Sequence, residues 1–481
     1  MKGRTTAAAT DVVDVLARSP GMGDAPALVG PQRTWTYAQL DRAVDEQARM
    51  LRTRAGAGVA PVLVDPVPRD VIALLAHWRA GITPAPLDGR LAEPERERAD
   101  RALSRAPVGA QVVLWTSGSA GRPRGVALSF GNLEASVAAA TARLELSDRD
   151  VWLASLAPTH VGGLMIVVRS ILLGGCLVAV GRLDPGGVSD LLDGKPPPPA
   201  GPAAPAVTHV SLVPTQLHRL LGHRAGAPPP GTLRCVLVGG AHAPERLVAD
   251  ALAAGWPLAL TYGMTEMCSQ VATAPPAQVR IKPGTVGRPL DGVELAVAED
   301  GELLTRGPTR ALGYVTTDDR RPAPATDDRR PAPEPDGQRV TTAPHAPDFA
   351  ALVDEDGWYH TGDYGRLDAN GDLWVTGRRT DKIVTGGVTV DAVEVEEALR
   401  THPAVVDACV VGVSDPEWGE RVGAWVVPVW GELDLDELDR HVGSRLGSAK
   451  RPRVWRVDQA LPVNANGKAD RVAVRRALER A

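Results

Sequence analysis

Hydrophobic residues at helical spacing follow a candidate helix cap near the N-terminus. Thr36 has the hydroxyl of a helix N-cap residue. The apolar positions behind it share one helical face and are Tyr37, Leu40, Val44, Ala48 and Leu51. An apolar run at residues 59–64 predicts a strand, and a second helical pattern extends from Asp70 to Ala80 and ends at Gly81. This part of the chain is therefore predicted to fold as helix, strand and helix.

Short apolar runs bounded by glycine or proline alternate with helical patterns through the next 200 residues. The runs that predict buried strands are 112–115, 177–180, 209–213, 235–238 and 258–262. The helical patterns among them include 214–221 and 244–254. Such alternation is typical of a layered α/β fold built on a largely parallel sheet.

The pattern changes towards the C-terminus. An Asn370–Gly371 pair between two strand-like runs indicates a β-hairpin over residues 367–375. Beyond about Thr380 the sequence predicts a helix at 391–399, strands at 404–411 and 422–429, and a helix at 434–446. We therefore expect a large N-terminal α/β domain, residues 1–379, and a small mobile α+β domain, residues 380–481.

Two proline-rich stretches interrupt these elements. Residues 194–206 cannot form a helix or a central strand and are predicted to be a surface loop. Residues 317–334 contain a near-duplication, TDDRRPAPA followed by TDDRRPAPE. Because this stretch lacks apolar residues, we expect a disordered insertion spanning 317–349.

Composition excludes several classes of protein. The 481 residues are 44% hydrophobic and 23% charged, with a net charge of −5 and no basic stripe, which argues against a nucleic-acid partner. The four cysteines form no CxxC pair, so neither a zinc site nor a disulfide framework is expected. The most apolar stretch, 161–181, contains Arg169 and reads as two buried segments instead of a membrane span. We expect a cytoplasmic protein.

Lysine is rare in this chain. Of 53 cationic residues only six are lysine, and the rest are arginine. A lysine that persists against this bias is a candidate for a role that a planar guanidinium cannot fill. Lys468, in an Asn-Gly-Lys segment, is the strongest such candidate.

A serine- and glycine-rich turn follows the predicted strand 112–115. Its glycines allow the backbone to approach a polyphosphate, and its N–H groups and hydroxyls are donors. No Gly-Lys-Ser/Thr follows the glycines, so the turn is not a Walker A loop. The candidate phosphate-binding residues are Thr116, Ser117, Gly118, Ser119, Gly121 and Arg124.

Four later segments support this assignment. They are the run Tyr262-Gly263-Met264-Thr265-Glu266 and the segments 358–363, 377–382 and 462–468. In this order, with the phosphate loop first, they resemble the core motifs of the adenylate-forming superfamily of acyl-CoA synthetases, adenylation domains and luciferases. The resemblance extends from about Trp35 to Arg475.

The resemblance implies an enzyme that forms an acyl-adenylate from ATP and then transfers the acyl group to a thiol. ATP, Mg²⁺ and coenzyme A are the implied cofactors and co-substrates. Glu266 would bind Mg²⁺, with Thr265 beside it as a further catalytic residue. Asp363 would bind the ribose hydroxyls, and Arg378 would bind the ribose or a phosphate. The remaining nucleotide-binding positions implied are Gly239, Gly240, Tyr262, Gly263 and Met264.

The resemblance also assigns roles near the C-terminus. Lys468 would neutralise the charge that develops on the α-phosphate and carboxylate oxygens during adenylation. The boundary near Thr380 would be a hinge about which the C-terminal domain rotates. After that rotation, the CoA thiol would enter beside Gly386 and Gly387.

Several phrases resemble the o-succinylbenzoate–CoA ligase branch of the superfamily, which serves menaquinone biosynthesis. They are the segments 158–164 and 261–271 together with Arg169-Ser170. A substrate with two carboxylates and a ring requires polar groups in an otherwise apolar pocket. The candidates by position are His160, Arg169, Ser269, Gln270 and Thr273.

The residues leave other functions open. An aryl or medium-chain acyl-CoA ligase would share every ATP motif, and a stand-alone adenylation enzyme would load a carrier-protein thiol. A nucleotide-binding protein without catalysis is disfavoured because Lys468, Glu266 and Asp363 occur together. The phosphate loop also departs from the common pattern, since Ser119 and Ala120 replace a threonine pair and Arg124 replaces lysine.

Overall fold

The computed structural model describes most of the chain. The described residues are 12–21, 23–54, 58–87, 103, 105–116, 124–195, 205–316, 348–378, 382–385, 388–415, 418–431, 433–464 and 468–480. Most of the phosphate loop, most of the predicted loop 194–206, most of the predicted insertion 317–349 and the predicted hinge around Thr380 lie outside them.

Six of the eleven helices in the described residues follow predicted patterns, and the other five were not predicted. The eleven are α1 Tyr37–Arg54, α2 Pro68–Arg79, α3 Phe130–Leu144, α4 Val161–Leu173, α5 Pro185–Leu192, α6 Pro214–Arg224, α7 Glu245–Ala253, α8 Pro276–Ile281, α9 Ala392–Arg400, α10 Leu435–Leu446 and α11 Arg471–Leu478. Short 3₁₀ turns occur at Leu16–Arg18, Thr265–Met267, Phe349–Leu352 and Ser448–Lys450.

The strands before the C-terminal part number eighteen among the described residues. They are β1 Pro26–Val29, β2 Thr34–Thr36, β3 Gly58–Leu63, β4 Ile82–Leu87, β5 Val112–Thr116, β6 Arg124–Leu128, β7 Val151–Leu153, β8 Cys176–Val178, β9 His209–Leu212, β10 Cys235–Val238, β11 Leu258–Met264, β12 Ser269–Ala274, β13 Arg288–Pro289, β14 Glu294–Val297, β15 Glu302–Arg306, β16 Gly313–Thr316, β17 Tyr359–Leu367 and β18 Leu373–Arg378. The C-terminal part adds β19 Lys382–Thr385, β20 Val388–Asp391, β21 Val405–Asp415, β22 Gly419–Pro428 and β23 Val454–Val457.

A nine-stranded sheet forms the centre of the molecule, in the order β13-β12-β11-β10-β9-β7-β8-β1-β2. Its six middle strands, β11 to β1, pair in parallel, while β12, β13 and β2 add antiparallel edges. The middle strands are almost entirely buried, as expected for a sheet covered by helices on both faces. The predicted parallel α/β architecture is confirmed for this sheet.

Smaller sheets account for the other strands. β5 and β6 form an antiparallel hairpin that β16 extends, so the phosphate loop connects hairpin strands and not a strand and a helix of the parallel sheet. β14, β15, β17 and β18 form an antiparallel sheet that contains the predicted Asn-Gly hairpin, and β3 pairs with β4 in parallel. The prediction that strand 112–115 belongs to the parallel sheet was wrong, because the length of an apolar run does not reveal which strand it pairs with.

Local capping explains where several helices begin. The amide of Gln39 donates to the Thr36 hydroxyl while the Gln39 side chain accepts from the Thr36 amide, a reciprocal capping box. Ser129 and Asn132 form the same arrangement at α3. Aspartates cap α9, α10 and α11. These contacts satisfy amides that a helix N-terminus leaves without an internal partner.

The C-terminal strands form their own sheet, β20-β19-β22-β21, with β23 added in parallel to β22. Two hydrophobic clusters fill this region, and each is built only from residues beyond 380. The clusters of the preceding region likewise contain only residues before 380. Across the described ranges, no helix is long and apolar enough to cross a membrane. All four cysteines are buried and free, as expected.

Candidate active site

A cleft of about 1880 Å³ lies where the middle strands of the large sheet end. Its wall includes residues just beyond the carboxyl ends of β7, β9, β10 and β11, the edge at which parallel α/β sheets bind ligands. Residues of β21, of the 464–468 loop and of α11 form the facing wall. The cleft is therefore enclosed by both parts of the chain.

The ends of the β5–β6 hairpin enter the cleft. Thr116 pairs with Arg124 across the hairpin, and both residues line the cavity. The guanidinium carbon of Arg124 lies 5.3 Å from the centre of the Tyr314 ring, a cation–π distance. Ser117, Gly118, Ser119 and Gly121 lie outside the described residues.

Strand β11 delivers the Tyr-Gly-Met-Thr-Glu segment to the cleft. Gly263, Met264, Thr265 and Glu266 all line it. Gly263 is required sterically, because a Cβ at this position would lie only 1.8 Å from the carbonyl oxygen of Ser269. The side chain of Glu266 accepts a hydrogen bond of 2.9 Å from the hydroxyl of Tyr314. The acid is thus held in one orientation at the cleft wall.

Asp363 is a buried carboxylate that accepts three hydrogen bonds from two side chains. Tyr262 donates to its Oδ2 at 2.8 Å, and Arg378 donates to both oxygens at 2.5 and 3.3 Å. Burial, followed by the charge of Asp363, raises the pKa of Tyr262 well above its ordinary value, so the phenol stays a donor. A carboxylate has about four acceptor positions, so Asp363 retains capacity for ribose hydroxyls.

The part of β17 that contains Asp363 is fixed by a second buried acid. Glu302 is only 4% exposed and accepts from the amide of Gly362 at 2.8 Å. Its other oxygen lies 3.1 Å from Nδ1 of His360. These contacts hold the Thr-Gly-Asp segment against β15 and leave Asp363 facing the cleft.

Lys468 reaches across the cleft to the turn that follows β10. A Cβ built on Gly240 would lie 3.1 Å from the Nζ atom of Lys468, so the ammonium group touches this turn. Gly240 has a φ of 79°, a left-handed conformation that favours glycine. At Gly239, a Cβ would lie 2.5 Å from Thr261 Cγ2. The two glycines leave open backbone beside the cleft.

Burial changes the acidity of Lys468. Desolvation, followed by repulsion from Arg378, lowers the pKa of Lys468 to about 8. Two hydrogen bonds fix the backbone of Lys468 to Asn464. The Asn464 amide donates to the Lys468 carbonyl, and the Lys468 amide donates to the Asn464 side chain. A compact point charge is therefore held close to Arg378 and to the β10 turn.

Arg169 lies at another part of the cleft wall, on α4, and is only 2% exposed. Its guanidinium donates to the side-chain oxygen of Gln270 at 3.0 Å and lies 5.1 Å from the ring centre of Trp152. Its Nε has no hydrogen-bond partner, and no carboxylate of the described residues pairs with it. Burial lowers the pKa of Arg169 to about 10, so it remains a cation at neutral pH.

A chain of hydrogen bonds orients Gln270 towards Arg169. The Gln270 amide nitrogen donates to Thr273 Oγ1 at 2.7 Å, and that oxygen lies 2.9 Å from Thr261 Oγ1. Because the amide nitrogen is committed to Thr273, the amide oxygen faces Arg169. The arrangement leaves a buried cation with a neutral partner, which suits an anionic ligand.

Two further predicted residues border the same end of the cleft. His160 occupies the N-cap position of α4 and lines the cavity. Ser269 also lines it, and its φ of 95° is left-handed. Cys268 before it has a φ of 50°, so two successive non-glycine residues adopt this conformation. Such strain at a cleft wall is typical of functional sites.

The two parts of the chain also meet beside the β10 turn. His242 Nε2 lies 3.2 Å from Glu397 Oε1 on α9. Burial by itself raises the pKa of Glu397, but His242 and Arg400 outweigh it and hold this pKa below its ordinary value. This contact connects the C-terminal part to the turn that Lys468 contacts.

Most of the predicted site residues line this one cleft. They are Thr116, Arg124, His160, Arg169, Gly239, Gly240, Gly263, Met264, Thr265, Glu266, Ser269, Gln270, Asp363, Arg378 and Lys468. Tyr262 and Thr273 lie behind the wall and support Asp363 and Gln270. Gly386 and Gly387, like most of the phosphate loop, lie outside the described residues.

Sequence reasoning missed Tyr314, Tyr359 and His242. Tyr314 and Glu266 are 48 positions apart, so no local motif joins them. One compositional signal was available: the chain has only five tyrosines, and Tyr262, Tyr314 and Tyr359 all lie at this site. Residue types that are rare in this chain, tyrosine and lysine, are therefore found at the cleft.

The side chains at the cleft suit a magnesium ion that arrives bound to a polyphosphate better than a metal ion held by the protein alone. Across the described ranges, no cluster of three or more histidine, cysteine or acidic side chains is arranged to hold a metal ion. Glu266 supplies a single carboxylate at the cleft. Mg²⁺ bound through one carboxylate and substrate phosphates is the usual arrangement in such sites.

Family models match most of the chain. The model described as AMP-binding enzyme matches residues 17–105 and 104–315, and the AMP-binding enzyme C-terminal domain matches residues 394–468. A 2-succinylbenzoate–CoA ligase of Bacillus mycoides (strain KBAB4) is 33% identical over 379 residues, covering 77% of this chain and 70% of the relative. The same values hold for the 2-succinylbenzoate–CoA ligase of Bacillus cereus (strain Q1).

Solved structures agree with the sequence comparisons. The o-succinylbenzoate CoA synthetase (MenE) from Bacillus subtilis, in complex with the acyl-adenylate intermediate OSB-AMP, superposes with a TM-score of 0.78 and 27% identity. The match covers 97% of this chain and 98% of that chain. The same enzyme in complex with ATP and magnesium ion gives a TM-score of 0.76 and 26% identity, covering 97% and 99%.

Proposed function

The chain belongs to the AMP-binding enzyme family, and from this membership we propose that it is an ATP-dependent 2-succinylbenzoate–CoA ligase. The observation that carries the substrate assignment is Arg169, a buried cation that has no carboxylate partner within the described part of the chain. It lies in the cleft that also contains Lys468 and Asp363. A cleft with these groups suits a nucleotide and an acid that bears a second carboxylate.

The proposed reaction has two steps. A carboxylate oxygen of the acid attacks the α-phosphorus of ATP, a phosphorus–oxygen bond forms, and the bond to the β-phosphate breaks to release pyrophosphate. The thiol sulfur of CoA then attacks the acyl carbon of the adenylate. A carbon–sulfur bond forms, the bond to the AMP oxygen breaks, and the thiol proton passes to solvent.

Nucleotide binding is assigned to the Asp363 side of the cleft. Asp363 accepts the ribose hydroxyls while Tyr262 and Arg378 hold its carboxylate in place. The open backbone at Gly239 and Gly240 receives the adenine. Thr116 and Arg124, at the ends of the β5–β6 hairpin, face the phosphates.

Lys468 stabilises the transition state of the first step in this proposal. Its ammonium group faces the β10 turn and Arg378 and offsets negative charge that grows on the α-phosphate and carboxylate oxygens. Glu266 would hold the magnesium ion, which supplies charge neutralisation for the polyphosphate when bound. Thr265 lies beside Glu266 at the cleft wall.

Substrate selection is assigned to the Arg169 end of the cleft. The second carboxylate of 2-succinylbenzoate would pair with Arg169, whose charge is otherwise buried against Trp152 and Gln270. Charge-assisted hydrogen bonds of this kind are shorter and stronger than neutral ones. His160 and Ser269 border the space left for the ring.

Thiol transfer requires a second arrangement of the two parts of the chain. Residues 1–379 and 380–481 act as two domains, and rotation about the segment near Thr380 withdraws Lys468 and admits the thiol beside Gly386 and Gly387. The separate hydrophobic clusters on either side of residue 380 support this division. The product would enter menaquinone biosynthesis, and the reaction would take place in the cytoplasm.

The acceptor thiol separates a CoA ligase from an enzyme that loads a carrier protein. The protein is incubated with ATP, Mg²⁺ and 2-succinylbenzoate, together with either CoA or a pantetheinylated carrier protein. We expect AMP, pyrophosphate and 2-succinylbenzoyl-CoA in equal amounts in the first case. Acylation of the carrier protein without formation of the CoA thioester would contradict the proposal.

A further inference from the structure

Tyr314 connects three features of the cleft. Its hydroxyl donates to Glu266 at 2.9 Å, and the hydroxyl of Tyr359 lies 3.0 Å from its own. The guanidinium of Arg124 lies over its ring at 5.3 Å. One phenol therefore touches the acid at the proposed magnesium position and the cation at the end of the phosphate loop.

The direction of the hydrogen bonds follows from the donors available. A carboxylate only accepts, so Tyr314 must donate its single proton to Glu266. Tyr359 must then donate to the oxygen of Tyr314. A phenol is protonated at neutral pH, so both hydroxyls are available as donors.

An aromatic cluster fixes both phenols. Phe349 contacts the Tyr314 ring edge-on at a centroid distance of 5.1 Å and stacks on the Tyr359 ring at 5.3 Å. Phe349 is only 7% exposed and is one of two phenylalanines in the chain. Tyr314 is also held by β16, which pairs with the Arg124 strand β6.

We propose that Tyr314 is a positioning residue for metal binding: it holds the Glu266 carboxylate in the orientation that receives the magnesium–polyphosphate complex, and Tyr359 supports it. With Oε1 bonded to Tyr314, the remaining acceptor positions of Glu266 face the cleft. Because Arg124 packs on the same ring, the phosphate-loop cation and the metal-binding acid are held at a fixed separation. This inference rests on the proposed metal role of Glu266.

The test measures nucleotide binding without turnover. ATP affinity is determined by calorimetry in Mg²⁺ and in EDTA, without an acid substrate, and the ratio of the two affinities is the magnesium enhancement. In Tyr314→Phe we expect this enhancement to fall about tenfold, as is typical when a group that orients a metal ligand is removed. AMP affinity and ATP affinity in EDTA should stay within about twofold of wild type.

Two further phenol variants refine the comparison. Tyr359→Phe leaves the bond from Tyr314 to Glu266 intact, so its enhancement should fall by no more than about threefold. Tyr37→Phe is the matched control, because the buried Tyr37 hydroxyl contacts the carbonyls of Gly175 and Ser170, and none of these three residues lines the cleft. It should keep the full magnesium enhancement even if its melting temperature falls.

Each outcome bears on one assignment. Wild-type enhancement in Tyr314→Phe, or an equal loss of AMP and Mg²⁺–ATP binding, would overturn the positioning role. Glu266→Gln tests the premise that Glu266 binds the magnesium ion. A wild-type magnesium enhancement in that variant would overturn the metal role of Glu266 and, with it, the positioning role of Tyr314. Reduced enhancement in Glu266→Gln but not in Tyr314→Phe would overturn the inference alone.

Discussion

Lys468 is a half-buried lysine in a chain that otherwise prefers arginine. Its Nζ lies at the β10 turn, where a flexible point charge can follow the reacting oxygens. Lys468→Ala should therefore lower acyl-adenylate formation by about 100- to 1000-fold, the usual effect of removing a fixed transition-state charge. Pyrophosphate release in a single turnover measures this step.

The same variant should transfer a supplied acyl-adenylate to CoA at a near-normal rate, because the proposed rotation removes Lys468 from the cleft for that step. Lys450→Ala is a suitable control, since Lys450 pairs with Glu394 within the C-terminal part. Near-normal pyrophosphate release by Lys468→Ala would disprove the assignment.

The low pKa of Lys468 predicts a pH dependence. The protonated amine is the active form, and its pKa lies at about 8 in the substrate-free structure. The value of kcat/KM for adenylation should be constant below about pH 8 and fall about tenfold per pH unit above it. In Lys468→Arg the residual activity should lack this alkaline decline, because guanidinium stays charged. If kcat/KM of Lys468→Arg still declined above about pH 8, the decline would have to come from a group other than Lys468.

Arg169 is the residue that should distinguish a dicarboxylate from a monocarboxylate. Loss of a charged hydrogen bond costs about 1.5–3 kcal/mol, so Arg169→Met should reduce the preference for 2-succinylbenzoate over benzoate, measured as kcat/KM, by about 10- to 100-fold. Arg79→Met is a matched control, because Arg79 pairs with Asp14 and Asp41 and does not line the cleft. An equal loss for both acids in Arg169→Met would indicate a structural role.

At the level of elements, α9 and the turn after β10 are joined by Glu397 and His242. Because both side chains are partly exposed, their coupling should be about 0.5 kcal/mol. His242→Ala should weaken the closed arrangement, in which Lys468 lines the cleft, and so slow adenylation about twofold. It should have little effect on thiol transfer. A double-mutant cycle with Glu397→Gln measures the coupling, and Glu394→Gln on the same helix is the control. Additive effects of the two changes would show that the pair does not hold the closed arrangement.

The elements that sequence predicted best are those with local signals. Helix α1 follows from the Thr36–Gln39 capping box and an apolar stripe, and the β17–β18 hairpin follows from Asn370–Gly371. The pairing of β16 with β6 joins strands that lie far apart in the chain and was missed, as was the β5–β6 hairpin, because an apolar run does not reveal its partner strand. For the same reason the sequence located Glu266 and Asp363 but not Tyr314, which meets Glu266 only in the folded chain.

At the level of the whole molecule, the cleft is complete only when both parts of the chain enclose it. Lys468 and Arg471 come from the C-terminal part, and Asp363 and Arg169 from the preceding part. Each part has its own hydrophobic clusters. Rotation can therefore exchange the groups that face the adenylate without unfolding either part, which fits a two-step enzyme with one nucleotide site.

This cleft is proposed to activate a dicarboxylic aryl acid by adenylation. The most direct test is ATP–pyrophosphate exchange without CoA, measured with 2-succinylbenzoate, benzoate and octanoate. We expect 2-succinylbenzoate to support exchange with a kcat/KM at least about 100-fold above that of either monocarboxylate. Exchange with octanoate and none with 2-succinylbenzoate would contradict the account.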